Sequence, residues 1–183
     1  MAEAGKGDAP LAITETNITW DGDPATSDLD ASPGTFFAGL WGADTFGVAL
    51  EKGVWSYAFW SISEGWTLGF LNGKTPRPIY HMIKMYADHF GDNTISVTDK
   101  PEGFSVYAGR NPEDDGTVLM VLNKTDTPSE QVIRVNKSDS TINDVTHLFP
   151  EYAISAVVIP DDGEPSVFTY EAADEDAGPQ QVR

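Results

Sequence analysis

Val54-Trp55-Ser56-Tyr57-Ala58-Phe59-Trp60-Ser61-Ile62 is the stretch on which the fold turns. β-Branched and aromatic side chains occupy both of its faces, as in a strand covered on both sides rather than one lying half in water. Upstream, Leu11-Ala12-Ile13-Thr14 is another short apolar run, ended by Glu15, and also reads as a buried strand. Thr16 to Pro33 is rich in Asp, Ser, Gly and Pro and predicts a long loop. From Thr35 to about Lys52, Phe36, Phe37, Leu40, Trp41, Val48 and Leu50 follow a helical period that Gly53 stops. After a loop carrying Glu64, Trp66 and Asn72-Gly73, residues Pro78 to Phe90 set Ile79, Met82, Ile83, Tyr86 and Phe90 on one helical stripe, with Pro78 suited to the first turn. The order is therefore strand, helix, strand, helix, and strands covered on both faces argue for parallel pairing through crossover helices. Two such units cannot close a sheet.

Composition changes at Gly91. All five tryptophans lie before it, and after it the chain breaks into short alternating segments separated by Pro, Gly, Asn and Asp. Thr94–Val97, Phe104–Gly109, Val118–Leu122, Gln131–Val135, Ile154–Ile159 and Val167–Tyr170 predict about six antiparallel strands, a small β-sandwich. The expected fold is α+β: two βα units over 11–90, then a β-sandwich over 91–170. A disordered N-terminus (1–10) and an acidic disordered tail (171–183) flank them. At 183 residues the chain is too short for a whole eight-stranded β/α barrel.

The charge narrows the partners. Twenty-nine acidic against eleven basic residues give −18, which opposes binding to nucleic-acid phosphates or anionic lipid. Zero cysteines exclude disulfides and thiolate chemistry. No apolar run reaches the roughly 18 residues of a membrane-spanning helix, and Met1 to Asp8 lacks the apolar stretch of a secretion signal. The chain is then intracellular, already processed, or a piece of something longer.

Glu15 is the first candidate for chemistry, because barrel enzymes place their reacting groups at the C-terminal ends of parallel strands. On a period of two, Leu11, Ile13 and Glu15 share a face, and so do Ser56, Ala58 and Trp60, small residues below and an indole at the strand end. A Glu ending a strand is equally a solvated edge residue or a salt-bridge partner, and pattern alone leaves these readings open. Trp20, Trp60 and Trp66, on loops after strand ends, suit the flat C–H faces of sugar rings, whereas Trp41 and Trp55 fall within a helix stripe and a strand and are expected in the core. His81 and His89 lie eight apart on one helix without a third ligand, His147 stands among turn residues, and Asp114-Asp115-Gly116 and Asp161-Asp162-Gly163 read as hairpin turns. No metal site and no cofactor are expected.

These residues resemble the last two βα units of clan A retaining glycoside hydrolases, of the endoglucanase, β-xylosidase and α-L-arabinofuranosidase kind. The resemblance runs through Leu11-Ala12-Ile13-Thr14-Glu15-Thr16-Asn17, Ser56-Tyr57-Ala58-Phe59-Trp60-Ser61-Ile62 and Gly73-Lys74-Thr75-Pro76-Arg77-Pro78-Ile79-Tyr80-His81. It continues past Gly91 into a hairpin of the appended sandwich, Phe104-Ser105-Val106-Tyr107-Ala108 with Val118-Leu119-Met120-Val121-Leu122-Asn123-Lys124. It implies a secreted polysaccharide hydrolase in which Glu15 matches the nucleophile, Trp60 the aromatic ending the last strand, and Asn17 and Glu64 are candidate contacts to sugar hydroxyls.

The family's acid/base residue comes from an Asn-Glu pair on an earlier strand, and this sequence contains no Asn-Glu dipeptide. The chain alone is therefore expected to be incomplete for catalysis. Its partners would be a polysaccharide or oligosaccharide and a companion chain carrying the remaining strands. The alternatives are a non-catalytic carbohydrate-binding or interaction module, and a structural remnant whose open strand edges pair with another chain.

Overall fold

A computed structural model describes residues 9–19, 34–63, 68–91, 93–111, 116–136, 142–174 and 177–183. In chain order the elements are β1 (Ala12–Thr16), α1 (Phe36–Glu51), β2 (Ser56–Phe59), β3 (Leu71–Asn72), β4 (Thr75–Pro76), α2 (Pro78–His89), β5 (Asn93–Ile95), β6 (Phe104–Asn111), β7 (Gly116–Asn123), β8 (Ser129–Asn136), β9 (Ile142–Phe149), β10 (Ala153–Ile159), β11 (Ser166–Tyr170) and β12 (Gln180–Gln181). The fold is α+β. One parallel pair, β1–β2, precedes a six-stranded antiparallel sheet in the order β12-β11-β10-β7-β6-β5 and a separate hairpin, β8–β9.

Helix α1 begins where Thr35 Oγ1 accepts the Ala38 N–H at 3.4 Å and ends at Lys52, with Gly53 in the left-handed region (φ +64°). Helix α2 starts on Pro78, whose missing N–H costs nothing in a first turn. Both helices pack on one face of the large sheet. Phe36, Ala38, Leu40 and Ala43 of α1 and Ile79, Met82, Met85 and Tyr86 of α2 join Tyr107, Met120, Leu122, Ile154, Ala156 and Tyr170 in one core. The alternate residues of the same strands, among them Val106, Ala108, Leu119, Val121, Val157 and Val167, form a second core with Val145 and Phe149 of β9. Strand β7 lies between the two layers and all eight of its residues are buried. The composition change at Gly91 thus falls inside a continuous packed core.

Polar ties reinforce this junction. Tyr107 Oη donates to the Asp44 carbonyl at 3.0 Å and to its carboxylate at 2.5 Å, and Lys124 Nζ reaches the same carboxylate at 3.0 Å. Burial would raise the Asp44 pKa, but hydrogen bonds from Ser105, Tyr107 and Lys124 outweigh it and hold the carboxyl below its ordinary 3.8. Burial, then the bond to Asp44, pushes the Tyr107 phenol well above its usual 10.

Several expectations are corrected. The second strand is shorter than Val54–Ile62, and Trp55, expected in the core, is 75% exposed because it precedes β2 and pairs through its N–H with the exposed Leu11. Strand β9 is an element the sequence reading lacks. Asn143-Asp144 resembles a turn, but Asp144 forms a cross-strand ion pair with Arg134 while Val145 and Phe149 turn inward. His147 consequently stands in a strand, its ring 4.8 Å from that of Phe149, and not among turns. The C-terminal residues, expected to be a disordered tail, form β12: Val182 N–H donates to the Val167 carbonyl at 2.8 Å and the Arg183 carbonyl accepts from Val167 N–H at 3.0 Å. Residues 1–8 lie outside the described residues.

Candidate functional site

Strands β1 and β2 run parallel, with Ala12 beside Ser56, Ile13 beside Tyr57 and Thr16 beside Phe59. Tyr57 and Phe59 face the helices: the Phe46 ring lies 5.7 Å from Tyr57 and 6.4 Å from Phe59, and Trp41 6.4 Å from Phe59. Trp60, just past the end of β2, is 46% exposed. The register slips between Ile13 and Thr16, so three steps along β1 match two along β2 and the strict alternation expected for Leu11, Ile13 and Glu15 is interrupted. Such a bulge re-aims side chains. Ile13 and Thr16 both stand beside helix-facing residues, while Thr14 and Glu15 between them are both exposed.

The strand ends are fastened together. Trp60 N–H donates to the Thr16 carbonyl at 2.8 Å. Asn17 Nδ2 donates to the Trp60 carbonyl at 2.5 Å and the Leu68 carbonyl at 3.0 Å, and Asn17 Oδ1 accepts the Ile18 N–H at 2.8 Å. The Trp60–Ser61 peptide is cis. Asn17, a candidate sugar contact, thus has its amide engaged by three backbone groups. Sequence reasoning missed this clamp. Its signal was an Asn placed just past a strand end, a residue type that readily bonds to nearby backbone. Trp20, Glu64 and Trp66 lie outside the described residues.

Glu15 has no ion-pair partner among the described residues. No group of three metal-ligating side chains occurs among them either. Asp161 of the second acidic turn is engaged by Arg110 at 2.6 Å, and Asp114-Asp115 lies outside the described residues. His81 and His89 both pack on β11, against Tyr170 and Phe168. A groove of about 750 Å³ lies elsewhere, between β8 and the sheet face of Val106, Ala108, Leu119 and Val121. Aliphatic residues of the sheet share its lining with charged ones, among them Asp99, Lys100, Arg110 and Arg134.

No protein-family model matches the chain, and no curated protein does. Seven chains of solved structures match. One is CelM2, a bifunctional glucanase-xylanase from a metagenome library, which superposes with a TM-score of 0.60 at 20% identity over 88% of this chain. The match covers 33% of CelM2, so this chain spans about a third of that protein's length. The likeness is one of fold: this chain folds like part of CelM2.

Proposed function

We propose that the chain is the C-terminal portion of a retaining glycoside hydrolase. Residues 11–90 would supply the last two βα units of the barrel and 91–170 the appended sandwich. In this reading Glu15 attacks the anomeric carbon to give a glycosyl-enzyme, Trp60 stacks on a sugar ring, and Trp20, Trp66 and Glu64 are further candidate sugar contacts. A second carboxyl, roughly 5–5.5 Å from Glu15 in a retaining enzyme, protonates the leaving oxygen and then activates water. It comes from a companion segment carrying the earlier strands. The carrying observation is the parallel β1–β2 pair, with Glu15 and an exposed Trp60 at neighbouring C-terminal ends. The neighbour's glucanase-xylanase activity points to β-glucan or xylan as substrate.

Hydrolysis of aryl glycosides tests this. The isolated chain is expected to be inactive, and activity is expected on adding a polypeptide with the remaining strands, to be abolished by Glu15→Gln. Activity of the isolated chain that survives Glu15→Gln removes Glu15 from the nucleophile role. The exposed indole of Trp60 favours one other reading, a non-catalytic carbohydrate-binding module. Its sign is glycan binding without turnover, weakened by Trp60→Ala and not by Glu15→Gln.

A further inference from the structure

The backbone of Trp60 is gripped at both its N–H and its carbonyl by consecutive residues, Thr16 at the end of β1 and Asn17 just past it. Thr16 offers its carbonyl to the Trp60 N–H at 2.8 Å, and Asn17 donates its amide to the Trp60 carbonyl at 2.5 Å. The same amide group holds the Leu68 carbonyl at 3.0 Å, so one side chain pins both the strand end and the return of the chain eight residues later. The amide's own orientation is set by the Ile18 N–H on Oδ1 at 2.8 Å. Below this point Phe59 is packed among Trp41, Phe46, Tyr57 and Phe70, with ring centroids 5.0–6.4 Å apart, which gives the strand a rigid footing. The indole itself is 46% exposed. A half-exposed side chain can act as a fixed sugar platform only if its backbone is held.

We infer that Asn17 is a positioning residue: by bridging the carbonyls of Trp60 and Leu68, its amide sets the direction of the Trp60 indole beside Glu15 and so the affinity for a sugar chain. The sugar half of this rests on the reading in the preceding subsection; the orienting half does not. Asn17→Asp is the informative variant. It keeps size and shape but replaces two N–H donors with carboxylate oxygen facing two carbonyls, so both bonds are lost.

The test labels the full chain with 5-fluorotryptophan and follows the ¹⁹F resonances, that of Trp60 being assigned by Trp60→Phe. Asn17→Asp is expected to shift or broaden the Trp60 resonance while leaving those of Trp41 and Trp55 in place. Asn123→Asp serves as the control, since Asn123 bridges the carbonyls of Thr127, Phe149 and Pro150 far along the chain. It should lower the melting temperature without moving the Trp60 resonance. An unchanged Trp60 resonance in Asn17→Asp, or the same change in Asn123→Asp, overturns the inference. In titrations with cellohexaose and xylohexaose, Asn17→Asp should weaken binding about two- to twelvefold, the effect of one hydrogen bond of 0.5–1.5 kcal/mol. The Asn17→Asp/Trp60→Ala double variant should bind no more weakly than Trp60→Ala alone. Binding that survives Trp60→Ala unweakened defeats the sugar-platform reading, and the ¹⁹F result then still decides the role of Asn17. Binding weakened by Trp60→Ala but untouched by Asn17→Asp defeats the inference alone.

Discussion

Replacing Gly47 by Ala should destabilise the protein even though alanine is the better helix former. Gly47 lies in α1 against Tyr107 of β6, and a methyl group there would stand 2.5 Å from Tyr107 Cγ, well inside van der Waals contact. The ring cannot simply swing away. Its hydroxyl is bonded to the carbonyl and carboxylate of Asp44, one helical turn back along α1, and Lys100 Nζ lies 5.2 Å above its centre. Overpacking of this kind costs about 1–3 kcal/mol. Loosening the phenol bonds adds about 0.5–1.5 kcal/mol. Removing a helical glycine returns about 0.8–1.0 kcal/mol. The net loss is roughly 1–3 kcal/mol, a drop of about 2–12 °C in melting temperature for a chain of this length. Urea midpoints followed by tryptophan fluorescence and by far-ultraviolet circular dichroism measure it. The Gly47→Ala/Tyr107→Ala pair should then lose clearly less than the sum of the two single changes. A Gly47→Ala protein as stable as the parent, or more so, would show that α1 does not press on the sheet as described, and the single core spanning Gly91 would have to be abandoned.

Three further outcomes follow from the same contacts. Burial, helped by the charges of Lys84 and Arg183, holds His81 and His147 below the ordinary imidazole value of 6.5. The unfolded chain therefore takes up protons first as pH falls through 6.5, and stability that is complete above that value should decline toward the lower folded values. His81→Gln should flatten the dependence of the urea midpoint on pH between 7.5 and 5, and an equally steep profile in that variant refutes the assignment. Truncation after Ala177 removes β12 and the contact of Gly178 with His81, together with backbone bonds to Val167, each worth about 0.5–1.5 kcal/mol. A lower midpoint and faster amide exchange at Val167 are expected, and unchanged exchange there would mean the strand does not pair. Asn123→Ala leaves three carbonyls and the Thr125 N–H without their amide partner, and should cost about 2–4 kcal/mol in denaturant unfolding, far more than an exposed Asn would.

Much of the scaffold is legible in the residues because its signals are local. Thr35 and Gly53 bound α1, Pro78 starts α2, and the stripe of Ile79, Met82 and Tyr86 is the stripe that is buried. The alternation of β6, β7 and β10 is likewise readable, since each inward residue is chosen by one of two apolar layers. Strand β9 is not. Its inward residues are Val145 and Phe149, and Asp144 just before them is held by a partner, Arg134 on β8, that adjacent sequence does not reveal. Composition likewise misjudges the acidic C-terminus, because what orders it is the free edge of β11 and the ring of His81, both distant along the chain.

The site divides in the same way. Residue identity and position along the chain suffice to bring Glu15 and Trp60 to the ends of two successive strands, because a short apolar strand, a helix and a second apolar strand pair in parallel by connectivity alone. The register of β1 on β2 is not legible in the same way. The one-residue slip between Ile13 and Thr16, which interrupts a strict period of two, arises from pairing between segments more than forty residues apart. The grip of Asn17 on Trp60 has the same origin: an amide on one strand end acquires its role when another strand's carbonyl arrives within hydrogen-bonding distance.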